Sequence, residues 1–444
     1  MQIRLSDHFT YTRLIRFTLP SIAMMIFTSI YSVVDGFFVS NFAGKTPFAA
    51  VNLIMPFIMI VATVGFMFGT GGTAIVAKSF GEGKPDYANR CFSLFVYTAF
   101  GIGVVVAVLG FIFIRPISTL LGASGELLEN CVVYARILLP ALPFFVMQLL
   151  FQSFFVTAEK PQMGLIVTVS SGVTNMVLDA VLVILLPREY KLIGAAIASA
   201  ASQTMGGMIP LLYFFRPNSS LLRLGKTSWD GKAILRACVN GSSEFMSNIA
   251  MSLVGMLYNR QLLRYAGENG VAAYGVMMYV SMIFAAAFIG YSIGTSPVIG
   301  YHNGAANHAE LRSILRKSLR MIGAFGVFLT VTALLCAEPL AKIFVGYDAS
   351  LVALTVSGFR IFSLSFLLMG FTNFSSGFFT ALGDGLTSAL ISFLRTLVFE
   401  TSAILLLPLL WDITGVWVAG IVAESLALLL SIAFLIGKRK RFHY

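Results

Sequence analysis

The sequence is divided into long apolar stretches that short polar segments separate. A helix that crosses the hydrocarbon core of a bilayer needs ~20 mainly apolar residues, and lipid accepts no unpaired backbone groups. Two sets of six stretches meet this length, and we predict a membrane-spanning helix in each. The predicted spans lie near residues 12–39, 48–77, 90–113, 131–157, 163–186, 193–215, 232–264, 270–299, 312–336, 352–380, 386–408 and 414–437. The predicted fold class is therefore an all-α polytopic membrane protein with twelve transmembrane helices.

The charges are few and unevenly placed. Only 11% of residues are charged and 58% are hydrophobic, whereas soluble domains are ~25% charged and ~45–50% apolar. The net charge of +11 comes from basic residues in the segments between spans, which fits a membrane surface better than nucleic acid. With the N-terminus inside, 20 basic residues fall on the inner side and 9 on the outer side. Because basic loops stay in the cytoplasm, both termini are predicted to be cytoplasmic.

The two halves of the sequence repeat each other. SFFVTAEKPQMG at 153 parallels GFFTALGDGLTS at 377, and LDAVLVILLP ending at Pro187 parallels FETSAILLLP ending at Pro408. The offset stays between about 221 and 224 residues. Six spans per repeat place both copies in the same sense, so we predict two six-helix lobes related by a pseudo-two-fold axis along the membrane normal, with a cavity between them. The predicted lobes are 1–215 and 232–444, joined by a cytoplasmic linker at 216–231, and the second lobe ends in a basic tail.

An amide and two carboxylates lie inside the apolar stretches of the first half. Asn175 and Asp179 are four residues apart and share one helix face, and Asp35 lies in IYSVVDGFFVS. An ionised side chain at the bilayer centre costs at least ~2.5–3.5 kcal/mol, so such residues are functional candidates. Neither acid has a basic partner in its half of the membrane core, and burial favours the neutral form of a carboxyl. The group could therefore take and release a proton, or the amide could complete an oxygen site for Na⁺.

The second half carries its own polar residues at membrane depth. Glu244 lies in GSSEFMSNIAMSL, among small and hydroxyl residues that suit a water-lined wall. Arg395 and Glu400 are five residues apart, which places them well apart around an α-helix, so each should meet another helix. A structural ion pair of Arg395 with Glu400, Glu244 or Glu424 and a role in the substrate cavity both stay open, and Glu424 is more typical of helix packing. The candidate cavity residues are Gln148, Gln152, Glu244, Arg395 and Glu400.

No pattern indicates enzyme chemistry. The four histidines and four cysteines are scattered, without CxxC pairs or metal-ligand spacing. We find no nucleophile motif, phosphate-binding loop or nucleic-acid module. We therefore predict a protein without cofactor or resident metal, apart from a possible Na⁺ at Asp35, Asn175 and Asp179.

Several motifs together resemble a known transporter family. The sequence resembles the multidrug and toxic compound extrusion family, and in general character its bacterial MepA-like or DinF-like branch. The resemblance lies in the six-plus-six repeat and in VVDGFFVSNFAG at 33, NMVLD at 175 and GAAIAS at 194. The resemblance covers essentially the whole chain. It implies V-shaped lobes, alternating access, and export of cationic drugs in exchange for H⁺ or Na⁺.

The resemblance also assigns residues. It implies an ion-coupling site at Asp35, Asn175 and Asp179, with Ser199 where relatives often carry threonine. Pro20, in TLPSI, matches a first-helix proline around which relatives are proposed to bend. Glu244 matches the seventh-helix acid of the NorM-like branch. The tenth span has no acid, whereas NorM-like relatives carry an aspartate there, and this disfavours a Na⁺ site in the second lobe.

The predicted function is secondary active multidrug export, in which organic cations are exchanged for H⁺ or Na⁺. The alternative is a flippase for lipid-linked oligosaccharides, which shares the superfamily plan. Such flippases often have about two extra spans and cationic cavities, whereas the cavity candidates here are mostly acidic. The expected partners are small organic cations and membrane lipids, with no nucleic acid, for a monomer in the bacterial cytoplasmic membrane.

Overall fold

The protein is a bundle of long helices. The computed structural model describes the chain apart from residues 1–2, 40–41 and 43, so part of the motif at 33–44 lies outside the described residues. The described residues form helices, turns and short connections, without a strand among them. The helices of the first half are α1 Tyr11–Phe38, α2 Lys45–Gly81, α3 Pro85–Leu120, α4 Gly125–Leu138, α5 Leu142–Thr157, α6 Pro161–Leu178 and α7 Lys191–Phe215. Those of the second half are α8 Gly231–Gly304, α9 His308–Val345, α10 Ala349–Phe362, α11 Phe366–Leu382, α12 Gly385–Phe393, α13 Thr401–Leu406 and α14 Pro408–Phe442.

Several spans contain a change of helix type rather than a break. A 3₁₀ turn at Leu139–Ala141 joins α4 to α5, where Pro140 removes a backbone donor. A second 3₁₀ turn at Ser363–Ser365 joins α10 to α11. If helices that such turns join are counted as one unit, the described residues contain eleven helical units that are long and apolar enough to cross a membrane.

One of these units, α8, is two spans. Its backbone leaves the helical conformation at Gly267, where φ is 61°. The rings of Tyr258 and Tyr274 stack with centroids 4.7 Å apart, although sixteen residues of straight helix would separate them by ~24 Å. The chain therefore reverses at Gly267, between the predicted spans 232–264 and 270–299. The twelve predicted membrane helices are confirmed.

The last two spans also meet at a sharp bend. The backbone of α14 is non-helical at Trp411 and Asp412. Gly415 lies against the backbone of Leu407 and Pro408, with no room for a side chain. The predicted spans 386–408 and 414–437 are thus separated by one short turn.

Both ends of the chain lie at the same end of the bundle, which we call the terminal end. The backbone N–H of Phe9 donates to Glu310 Oε1 at 2.8 Å, and Arg312 Nε donates to the carbonyl of His443 at 3.0 Å. The predicted basic tail is the last turn of α14. Its Lys438 Nζ lies 2.6 Å from Asp384 Oδ2; burial disfavours the ionised carboxyl of Asp384, but Lys438 holds its pKa below the ordinary value.

The two halves of the chain pack against each other at the terminal end. In α2, Gly71 lies directly on the carbonyl of Ala237, and Gly241 of α8 lies directly on that of Met67. Neither position has room for a Cβ, so these glycines let the backbones approach closely, as small residues do in membrane bundles. The N-terminal segment crosses the same junction, since Leu5 N–H donates to Glu159 of the first half at 2.6 Å and Phe9 N–H donates to Glu310 of the second half at 2.8 Å.

The opposite end of the bundle is built differently. There the buried apolar cluster of the first half contains only residues of that half, from Val39 to Ala196. The second half has its own buried apolar cluster. The residues of the first half that belong to this cluster lie chiefly near the N-terminus of the chain. The molecule is therefore two lobes that meet at the terminal end and have separate cores at the other.

Candidate functional site

Three helices of the first lobe bring the predicted ion-coupling residues together. Asp35 lies three residues before the end of α1, Asn175 lies on α6, and Ser199 lies on α7. Asp179 begins a π-helical turn, Asp179–Val183, which continues α6. The carboxyl of Asp35 adjoins the side chains of Asp179, Asn175 and Ser199. Residues 164 positions apart along the sequence thus share one cluster.

The cluster holds more acceptors than donors. Asp179 is fully buried and Asn175 is 2% exposed. Among the described residues, no hydrogen-bond partner is found for four buried oxygens: Asp35 Oδ1, both carboxyl oxygens of Asp179 and Asn175 Oδ1. Carboxylate and amide oxygens only accept hydrogen bonds, so these four cannot satisfy one another. A proton on one carboxyl, or a cation between the oxygens, would remove the mismatch.

The surroundings of the two acids are polar but not basic. The ring of Tyr134 is buried beside them, with its hydroxyl near Ser199. Tyr31 adjoins the amide of Gln148. The ion pairs among the described residues include neither Asp35 nor Asp179. The negative charge of an ionised pair would therefore have no fixed counter-charge.

A cavity of about 250 Å³ lies where the two lobes meet. Met25, Phe66 and Thr70 line it from the first lobe, and Glu244, Asn248, Asn373 and Arg395 are among the residues that line it from the second. In the part of the chain that the structure describes, Glu244 forms no ion pair. The cavity thus offers one carboxylate without a basic partner, beside aromatic and thioether side chains.

The guanidinium of Arg395 is held by other residues. Its Nε and Nη2 lie 2.8 Å from Glu424 Oε1, and its Nη1 donates to Asn373 Oδ1 at 2.7 Å. The second carboxyl oxygen of Glu424 accepts a hydrogen bond of 2.7 Å from Thr372. Of the three pairings left open for Arg395, the structure shows the one with Glu424. Arg395 therefore brings little free positive charge to the cavity.

Arg395 and Glu400 are closer around their helix than α-helical spacing predicts. Both residues lie in a π-helical segment, Leu394–Glu400. In a π-helix the hydrogen bonds join residues five apart, so these two are on adjoining turns rather than well apart. Glu400 nevertheless adjoins the hydroxyl of Tyr258 on α8 and forms no ion pair with Arg395.

The expectation that Gln148 and Gln152 face the cavity between the lobes is wrong in this structure. Both are buried inside the first lobe, at 4% and 3% exposure. The side chain of Gln148 packs on Gly206 of α7, and its Nε2 donates to Ser171 Oγ at 3.3 Å. Because Gly206 has no side chain, the neighbouring helix leaves room for the side chain of Gln148 inside the lobe.

Pro20 lies inside α1, towards the terminal end, and the helix continues through it.

The tyrosines of these sites were not predicted from the sequence. Tyr31 and Tyr134 border the acids of the first lobe, and Tyr258 and Tyr274 border Glu400. A tyrosine in an apolar stretch looks the same whether it packs against lipid or faces a carboxyl. Only the repeat offset carries a signal, because it aligns Asp35 with Tyr258, 223 residues later.

The described residues contain no group of three or more His, Cys, Asp or Glu side chains that could hold a metal ion. Two six-helix lobes with a cavity between them are an architecture of membrane transporters. The chain belongs to the MatE family. The model of that family matches residues 20–181 and 245–403, in both lobes. Membership indicates transport rather than catalysis, by a multi-pass membrane protein.

Relatives and solved structures agree with this membership. The chain is 24% identical over 433 residues to the multidrug export protein MepA of Staphylococcus haemolyticus, covering 97% of this chain and 94% of that protein. A crystal structure of a MATE protein in complex with MaL6 superposes with a TM-score of 0.91 at 20% identity, over 98% and 97% of the two chains. An outward-facing multidrug resistance MATE transporter superposes with a TM-score of 0.90, also at 20% identity and with the same coverage. At this identity the structures establish the shared fold.

Proposed function

We propose that this protein is a secondary active multidrug exporter that exchanges organic cations for H⁺ or Na⁺ by alternating access. The observation that carries the proposal is the cluster of four buried acceptor oxygens on Asp35, Asn175 and Asp179. Such a group is stable only when a proton or a small cation satisfies it. A site of this kind can load an ion from one side of the membrane and release it to the other.

The cavity supports a cationic cargo. Within the described part of the chain Glu244 has no basic partner, and Arg395 is neutralised by Glu424. Aromatic and thioether side chains such as Phe66 and Met25 can adapt to varied aromatic cations. The alternative, a flippase for lipid-linked oligosaccharides, would need unpaired positive charge for a pyrophosphate. The relatives named for multidrug export favour the first reading.

The structure suggests how the exchange proceeds. With both termini in the cytoplasm, as the basic residues predict, the lobes meet on the cytoplasmic side and separate towards the outside. An ion from outside binds between Asp35 and Asp179 and removes one negative charge from the acid pair. Because Asp35 lies on α1, this change alters the packing of that helix, which we propose bends around Pro20. The rearrangement of α1, which also reaches the cavity through Met25, then expels the cargo.

The energy that one ion supplies depends on the charge of the cargo. One charge crossing 100 mV gains ~2.3 kcal/mol, so one proton at about 150 mV supplies about 3.5 kcal/mol. At ~1.4 kcal/mol per tenfold change in concentration, this maintains a few-hundred-fold gradient of a neutral compound. Exchange of one proton for one monovalent cation moves no net charge, so only the concentration part of the ion gradient then drives it.

The test is efflux of ethidium from proteoliposomes, driven separately by a pH gradient and by a Na⁺ gradient. We expect driven efflux in the native protein, loss of it in Asp179→Asn, and no change in Glu126→Gln, a carboxyl at the exposed start of α4. Efflux that persists after both gradients are collapsed would contradict antiport. Binding of a lipid pyrophosphate in place of ethidium would support the flippase.

A further inference from the structure

The second lobe contains a structural counterpart of the acid pair. Asp179 and Glu400 each precede the equivalent proline by eight residues, Pro187 and Pro408. Each of the two acids also belongs to a π-helical segment, Asp179–Val183 or Leu394–Glu400. Such segments are rare and occur often at functional sites. The repeat thus places Glu400 where the first lobe has Asp179.

The partner of each acid also follows the repeat. Asp35 on the first span adjoins Asp179, and Tyr258 on the seventh span adjoins Glu400. Tyr258 is fully buried and stacks on Tyr274 of the eighth span. Its hydroxyl is buried without a hydrogen-bond partner among the described residues. The carboxyl of Glu400 adjoins this unpartnered phenol and is an acceptor for it.

The charges around Glu400 leave it without a counter-ion. The groups that face it are Tyr258, Tyr274, Arg395 and Glu424. The guanidinium of Arg395 is taken by Glu424 and Asn373, at 2.7–2.8 Å. One guanidinium and two carboxylates leave one negative charge uncompensated inside the lobe, and that charge is on Glu400. A carboxyl in this position is stabilised by a proton.

A proton suits this position better than Na⁺. Sodium needs several free oxygen ligands around one point, whereas Glu400 faces two tyrosines, Arg395 and Glu424. The oxygens of Glu424 are already occupied by Arg395 and Thr372. The first-lobe site, with four unpartnered oxygens, offers more to a metal cation. A phenol can donate a hydrogen bond to either form of a carboxyl, so Tyr258 is compatible with both gain and loss of the proton by Glu400.

We infer that Glu400, positioned by Tyr258, is a second proton-binding site, which takes up and releases one proton in each transport cycle. The inference rests on the proposed antiport and adds to it. With two ion sites, exchange for a monovalent cation moves one net charge per cycle. The membrane potential would then contribute to export, which a single-proton exchange does not allow.

Two measurements test the inference. The first is pH-difference infrared spectroscopy of the purified protein, which detects the carbonyl band of buried protonated carboxyls. We expect Glu400→Gln to remove one component of this band, Asp179→Asn to remove a different one, and exposed Glu126→Gln to remove none. Tyr258→Phe deletes only the hydroxyl and should shift the Glu400 component, which keeps the test available if Glu400→Gln does not fold.

The second measurement counts protons per ethidium in proteoliposomes at fixed potential. Glu400→Gln should lower the ratio by one and make driven efflux insensitive to the potential, while efflux driven by a pH gradient persists. An intact band and an unchanged ratio in Glu400→Gln, with Asp179→Asn inactive, would overturn this inference and leave the proposed function standing. Full driven efflux by Asp179→Asn would instead count against the proposed first-lobe site.

Discussion

Replacement of Asp179 by asparagine should stabilise the first lobe while it abolishes transport. Asparagine has nearly the shape of aspartate, but its amide nitrogen supplies two donors to a cluster in which four acceptor oxygens have no partner. A buried polar group without a hydrogen bond costs ~1–3 kcal/mol. A hydrogen bond from the new amide to one neighbouring acceptor, such as Asp35 Oδ1, should therefore raise the free energy of unfolding by about 1–3 kcal/mol near pH 8.

The expected shift is large enough to measure. For a unit of 150–250 residues, 1 kcal/mol moves the melting temperature by ~2–4 °C, so the variant should melt about 2–12 °C higher. Cys91 and Cys131 are buried in the first lobe. In a background without Cys238 and Cys336, a thiol-reactive dye therefore reports the unfolding of that lobe alone. The tryptophans would report only the second half and the linker.

The pH dependence and a matched variant complete the test. A proton on the native pair supplies the same kind of donor, so the difference between Asp179→Asn and the native protein should narrow as the pH falls. Asn175→Asp removes a donor at the same place and should lower the melting temperature at pH 8. If Asp179→Asn melts below the native protein at pH 8, or still transports, the acceptor oxygens are satisfied in another way and the reasoning fails.

Three further changes test other parts of the structure. Glu244→Gln removes the unpaired carboxylate of the cavity and should weaken ethidium binding about tenfold, or ~1.4 kcal/mol, in a fluorescence titration; an unchanged Kd would contradict a cationic cargo. Gly71→Val has no room against α8 and should increase the distance between spin labels on the terminal ends of α2 and α8, whereas Gly101→Val, which meets no atom within 4 Å, should not. Glu424→Gln leaves the guanidinium of Arg395 partly unpaired and should lower the stability of the second lobe by up to ~3–5 kcal/mol; a melting temperature within a degree of native would show that the pair adds nothing.

The sequence by itself determined the spans, the repeat and the presence of buried acids. Lipid excludes unpaired backbone groups, so each long apolar stretch had to be a helix. The same exclusion makes Asp35, Asn175 and Asp179 conspicuous, because a polar side chain at membrane depth is costly. These inferences depend only on local composition and on spacing along the chain.

Only the tertiary structure decided which side chains meet. Helix rotation and packing pair Arg395 with Glu424 rather than with Glu244 or Glu400, and direct Gln148 into the first lobe. The π-helical segment at Leu394–Glu400 changes the angle between two residues that α-helical geometry would place apart. These outcomes depend on contacts between residues far apart in the sequence. The absence of a side chain at Gly206 makes room for Gln148, and the wider turn of a π-helix rotates the residues that follow it to another face.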